Sequence, residues 1–145
     1  MDRIIHVVGG SMIPFVLPGS VLRVERVPFE EIEKGDVICV IGENSGGGAH
    51  RVVEKMNSED RAVVLTRGDA REFGEIVPAE SVVFVVRRVE HRLFSYDSKG
   101  SIGRIIAHVA LGDSFLTSLL RDICRCSFAA IALSRRVVRE IRPRR

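Results

Sequence analysis

Apolar residues in this 145-residue chain change their spacing near Lys99-Gly100. Before that point Val, Ile and Phe gather in short runs: Ile4–Val8, Val21–Val27, Val37–Ile41, Arg51–Lys55, Ala62–Thr66 and Ser81–Phe94. Turn formers stand between them: Leu17-Pro18-Gly19-Ser20, Lys34-Gly35-Asp36, Asn44-Ser45-Gly46-Gly47-Gly48 and Arg67-Gly68-Asp69. Runs of this length, rich in β-branched residues and bounded by Gly, Pro and Asp, predict strands. Several at this spacing predict a mainly β, antiparallel domain over residues 1–97, a sandwich or a partly closed barrel. The Gly-rich stretch 43–48 is expected to be a flexible hairpin or a loop tip that sets His50 at the start of the next strand.

Beyond Gly100 the period becomes helical. Ile102, Ile105, Ile106, Val109 and Ala110 fall on one stripe. Phe115, Leu116, Leu119, Leu120, Ile123 and Cys124 form another, behind the plausible N-cap of Gly112-Asp113-Ser114. Arg121, Arg125, Arg135, Arg136 and Arg139 rim that apolar face. Residues 98–145 are therefore expected to form a helical appendage with a cationic border.

Composition adds three bounds. Hydrophobic content of 46% with 28% charge fits a folded domain with a real core. Three cysteines, Cys39, Cys124 and Cys126, are too few for a disulfide framework, and Cys124-x-Cys126 has no second pair to complete a zinc site. No metal or cofactor is expected. The net charge of +3 belongs to the tail: residues 1–100 hold 13 Lys plus Arg against 16 acids, and residues 101–145 hold 9 Arg against 3 acids.

Charge and hydropathy also narrow the partners. Ile4–Val8 is too short for a signal-peptide core, and no run reaches the roughly 18 apolar residues of a membrane span. The expectation is a cytoplasmic chain, with peripheral contact to the inner face of the membrane as the tail's alternative to docking on the β-domain. Nucleic acid is not expected, because no recognition motif or aromatic platform accompanies the arginines.

The candidate chemistry centres on Ser11, in Gly9-Gly10-Ser11-Met12-Ile13-Pro14 directly after the first apolar run. A serine on such a turn has little crowding around its hydroxyl. That hydroxyl is a poor nucleophile until a base takes its proton. His50 can supply an imidazole of suitable pKa, and a carboxylate on the other ring nitrogen would fix the tautomer and stabilise the imidazolium. Asp69 and Glu75 are both candidates for that carboxylate. His6, His91 and His108 stand in no comparable setting.

Five segments in order carry a resemblance: Ser11-Met12-x-Pro14, Leu17-x-Gly19-x-x-Leu22, Lys34-Gly35-Asp36-Val37-Ile38, His50-Arg51-Val52-Val53 and Thr66-Arg67-Gly68-Asp69-Ala70. The series, spanning roughly residues 7 to 90, resembles the type I signal peptidases, and most closely their archaeal and endoplasmic-reticulum branch, where histidine replaces the bacterial lysine. The resemblance implies a signal-peptidase-like β-fold and a serine endopeptidase that cleaves a precursor or leader peptide. It implies Ser11 as nucleophile, His50 as general base, and Asp69 and Glu75 as the acidic positions. The backbone at Gly10 and Ser11 is then expected to hold the oxyanion.

Two positions depart from the pattern. Gly9 stands where the family often has a serine that assists the oxyanion, and Glu75 stands where it usually has aspartate. Only ten residues precede Ser11, so the family's usual N-terminal anchor is not expected in this chain. The alternatives are a peptide-binding module of the same fold whose chemistry has decayed, and a self-cleaving regulator. Self-cleaving relatives of the SOS-repressor type use a lysine base and carry a DNA-binding domain, and neither is evident here.

Overall fold

A computed structural model describes residues 3–42, 46–57, 61–71, 73–112 and 122. Eight strands come first: β1 (Arg3–His6), β2 (Val21–Glu25), β3 (Val37–Gly42), β4 (Gly46–Asn57), β5 (Ala62–Arg67), β6 (Gly74–Pro78), β7 (Val82–His91) and β8 (Phe94–Asp97). Helix α1 (Ser101–Leu111) follows. All strand pairs are antiparallel, in one sheet of order β1-β2-β7-β3-β4-β5-β6 with β8 added on β7. Among the described residues no ladder joins β1 to β6, so the sheet stays open.

β7 organises this sheet because it uses both of its edges. One edge holds β2 from Val85 to Glu90; the other holds β3 at Val82 to Val85, then β8 at Arg88 to His91. The sequence pattern predicts a single strand over Ser81–Phe94. The structure splits it into the β7–β8 hairpin at Arg92-Leu93, where the Leu93 N–H donates to His91 Nδ1 at 3.3 Å. Gly46 to Gly48 lie in β4, opposite Gly42 to Val40, so the glycines extend a β3–β4 hairpin and the strand starts four residues before His50. Glycine weakens a strand without blocking its main-chain ladder, so the β3 partner decides the outcome.

Period-2 alternation explains why β3 and β7 read as continuous apolar runs: both of their faces are covered. Leu22, Val24, Val37, Cys39, Val86 and Val89 meet Met12, Val16 and Tyr96 in one cluster. Ile38, Val52, Val64 and Val85 meet Ile32 in a second. Val86 and Val89 reach the same cluster despite their odd separation because the β2–β7 ladder slips between Arg23 and Val24. Similar slips lie at Cys39/Val40 and at Val52/Glu54, and such bulges bend and twist the strands that carry them.

Helix α1 packs through small residues. Gly103 and Ala110 are buried, Ile106 meets the first cluster, and Ile102 and Ile105 stay exposed. At its start Lys99 Nζ reaches Glu33 at 2.6 Å and Asp36 at 2.9 Å. At its end the Ala110 carbonyl accepts from Arg67 at 3.1 Å. The helix is thus fastened to the β2–β3 connection and to the end of β5. The second helical stretch expected from Phe115 to Cys124 lies, apart from Asp122, outside the described residues. Among the described residues no helix is long and apolar enough to cross a membrane.

Candidate active site

Ser11 opens a tight loop whose neighbours are fixed from below. Gly10 C=O accepts from Ile13 N–H at 3.2 Å, and Met12 C=O accepts from Val16 N–H at 2.9 Å. Val7 and Ser20 close the base through a 2.9 Å bond. Met12 and Val16 are almost wholly buried in the first cluster, and Tyr96 Oη donates to the Phe15 carbonyl at 3.1 Å. Ser11 itself is half-buried. Among the described residues no protein acceptor takes the N–H of Gly10 or of Ser11. These are the two donors expected from the sequence to serve an oxyanion.

A second turn, Gly68-Asp69-Ala70, lies against this loop. The Ala70 N–H donates to the Ser11 carbonyl at 2.9 Å. Contact at Gly68 is closer still: a Cβ there would fall 2.6 Å from the Ser11 carbonyl oxygen and 3.2 Å from Ser11 Cβ. Only glycine allows that approach.

Asp69 faces inward from this turn. Its two oxygens accept from Arg51 Nε at 2.8 Å and Nη2 at 2.7 Å, with the side chains 4% and 2% exposed. Arg51 Nη1 donates to the Gly35 carbonyl at 2.8 Å. Burial lowers the pKa of this guanidinium, but its bonds to Asp69 outweigh that and raise it overall. A fork-to-fork pair of this kind fixes the geometry of both partners. Both carboxylate oxygens of Asp69 are therefore held by Arg51.

His50 precedes Arg51 on β4. Arg51 pairs with Arg67 at the last rung of the β4–β5 ladder, and Gly68, the residue in contact with Ser11, follows Arg67. The imidazole has two distinct sides. Its Nε2 lies 3.7 Å from where a Cβ on Gly48 would sit, two residues back on the same face. Its Nδ1 lies 3.9 Å from Glu75 Oε2 on β6. That spacing is an ion-pair contact, about 1 Å longer than a hydrogen bond. Glu75, rather than Asp69, is the carboxylate in ion-pair contact with the ring. No hydrogen bond joins Ser11 Oγ to His50 among the described residues.

Burial pushes the His50 pKa below its ordinary value; Glu75 pulls it back up, Arg71 lowers it and Asp69 raises it. Arg71 is a residue that motif reasoning misses. Its N–H donates to the Gly68 carbonyl at 2.9 Å, and its Nη1 meets Glu75 Oε1 at 3.1 Å. The available signal was its place two residues after Asp69, but only the β5–β6 ladder, which pairs Glu75 with Thr66, shows what it reaches.

Ser11 and Gly48 share a groove of about 390 Å³. Ile5, Val7 and Val8 line one side, Cys39, Val40 and Ala49 the other, with Phe84 also in the lining. The thiol of Cys39 is pushed up to about 11 by burial, which leaves it protonated and unreactive. His6 also lines the groove, whereas His91 and His108 lie on β7 and α1. Among the described residues no three His, Cys, Asp or Glu side chains are grouped to hold a metal ion. The arrangement offers a hydroxyl on an apolar groove and, next to Gly48 of that groove, an imidazole of depressed pKa with a carboxylate at its far nitrogen. Comparison of the chain with protein-family models, curated proteins and solved structures finds no match in any of the three.

Proposed function

We propose that this chain is a serine endopeptidase of signal-peptidase type, with Ser11 as nucleophile and His50 as general base. The observation that carries the reading is the turn at Gly68, which touches Ser11 directly and reaches His50 through Arg71 and Glu75. Ser11 lines the groove itself, and His50 adjoins it through Gly48, beside which its Nε2 lies.

The chemistry follows from these groups. His50 Nε2 takes the proton of Ser11 Oγ–H as the oxygen attacks a peptide carbonyl carbon. The carbonyl oxygen becomes an oxyanion, held by the N–H groups of Gly10 and Ser11, whose loss individually costs about 2.7–4 kcal/mol in comparable sites. The C–N bond then breaks, and the proton on His50 passes to the leaving amine. Water, deprotonated by the same imidazole, releases the acyl chain from Ser11. Glu75 faces Nδ1 and stabilises the imidazolium; Asp69, clamped by Arg51, holds the turn on which Ser11 rests. Apo active sites often show long spacings that tighten on substrate binding, so 3.9 Å between His50 and Glu75 is compatible with this role.

The substrate in this reading is an extended precursor or leader segment lying in the apolar groove. The signal-peptidase resemblance adds small residues beside the scissile bond. A second reading, a peptide-binding module without chemistry, draws on the absence of a direct Ser11–His50 hydrogen bond and on Gly9. Incubation with a peptide library, read by mass spectrometry, separates them. Cleavage by the wild type that disappears in Ser11→Ala and His50→Ala supports the peptidase. Peptide binding with no cleavage products, equal in wild type and Ser11→Ala, supports the module.

A further inference from the structure

Glu75 is a poorly restrained partner for a catalytic histidine. It sits on β6, an edge strand, with its side chain 58% exposed. Its backbone is fixed by pairing with Thr66, whose hydroxyl also donates to the Glu75 carbonyl at 3.3 Å. Its three side-chain torsions are not fixed by packing, so in water the carboxylate would leave the ring for solvent much of the time. A second contact is needed to hold it there.

We propose that Arg71 is a positioning residue that clamps Glu75 against the Nδ1 edge of His50. This rests on the peptidase reading of the site. Arg71 is itself anchored at two points: its N–H closes the turn onto the Gly68 carbonyl, and its stem crosses Gly68, with Cγ 3.3 Å from where a Cβ there would lie. From that anchorage its guanidinium takes Glu75 Oε1 at 3.1 Å and leaves Oε2 facing His50 at 3.9 Å. One turn therefore holds the nucleophile's carbonyl through Ala70 and the base's carboxylate through Arg71. The pair is exposed, so it contributes little to folding stability. Its effect is on where the carboxylate points.

A clamp and a mere neighbouring cation make opposite predictions. The charged groups facing His50 are Glu75 from β6 and Arg71 and Asp69 from the turn after β5, with the Glu75 influence the largest of the three. If Arg71 acted only through its charge, removing it would raise the His50 midpoint. If it holds Glu75 in place, removing it also releases the larger, opposing influence, and the midpoint falls.

The test is an NMR titration of the four histidines in the full chain, with His50 assigned by its loss in His50→Gln. Arg71→Ala and Glu75→Gln are expected to lower the His50 midpoint in the same direction, the double variant to go no further, and Arg71→Lys to restore most of the shift. Thermal midpoints should stay close to wild type. In peptide hydrolysis both single variants are expected to lose roughly tenfold in kcat with KM little changed, short of the ~10²-fold a 1 Å misplacement can cost. A raised or unmoved His50 midpoint in Arg71→Ala overturns the clamp. Because this titration needs no turnover, failure of the clamp and failure of the peptidase reading are distinguishable.

Discussion

At the scale of single residues, two acids close in sequence have separate surroundings. Asp69 is buried and bidentate on Arg51, whereas Glu75 is exposed and faces His50. Asp69→Ala leaves a buried guanidinium without its counter-ion and is expected to destabilise the fold by about 3–5 kcal/mol, read from urea unfolding. Glu75→Gln should leave the unfolding midpoint in place and slow hydrolysis instead. A wild-type unfolding curve for Asp69→Ala would remove Arg51 from its structural role. Gly68 is the other decisive residue, since a methyl group there meets the Ser11 backbone at 2.6 Å. Gly68→Ala is expected to displace Ser11 and cost ~10²-fold or more in kcat/KM. Activity within threefold of wild type would mean the contact does not set the nucleophile.

Among the elements, α1 braces the site from behind. Its Ala107 lies against Gly35, whose carbonyl accepts from Arg51, the partner of Asp69. Gly35 has φ of +94°, a left-handed conformation, and a Cβ there would come within 3.0 Å of Ala107 Cβ. Gly35→Ala therefore adds backbone strain to a crowded contact and is expected to cost about 1 kcal/mol or more in chemical denaturation. An unchanged denaturation midpoint would show that α1 does not press on this turn. The stripe of apolar residues along α1 marks its helical period, yet the helix seats itself by Gly103, Ala107 and Ala110 and leaves Ile102 and Ile105 outside. Close approach of backbones favoured the small residues over the large ones.

Across the whole molecule, an open sheet bends at its bulges so that β1 and the β3–β4 hairpin line one groove, with Ser11 on the connection after β1. Most of the strands and their turns were legible because runs of Val and Ile between Gly and Asp clusters are local signals. The separate settings of Asp69 and Glu75 were not, because they depend on register across β4, β5 and β6. β6 itself gave little signal: only Val77 of its five residues is buried, as befits an edge strand. The pH dependence belongs to this scale as well. Burial holds the His50 pKa below its ordinary value of about 6.5, so the imidazole stays neutral and able to accept a proton at neutral pH. The acid limb of kcat/KM is expected to fall below pH 6.5 and to vanish in His50→Ala. A limb centred above pH 7 would contradict that environment.

The most direct test is the intact mass of the protein after exposure to a fluorophosphonate at neutral pH. One adduct per chain, mapped to Ser11, absent in Ser11→Ala and strongly slowed in His50→Ala, is the predicted result. A wild-type chain that gains no mass, or labels equally after His50→Ala, would contradict an activated serine in this protein.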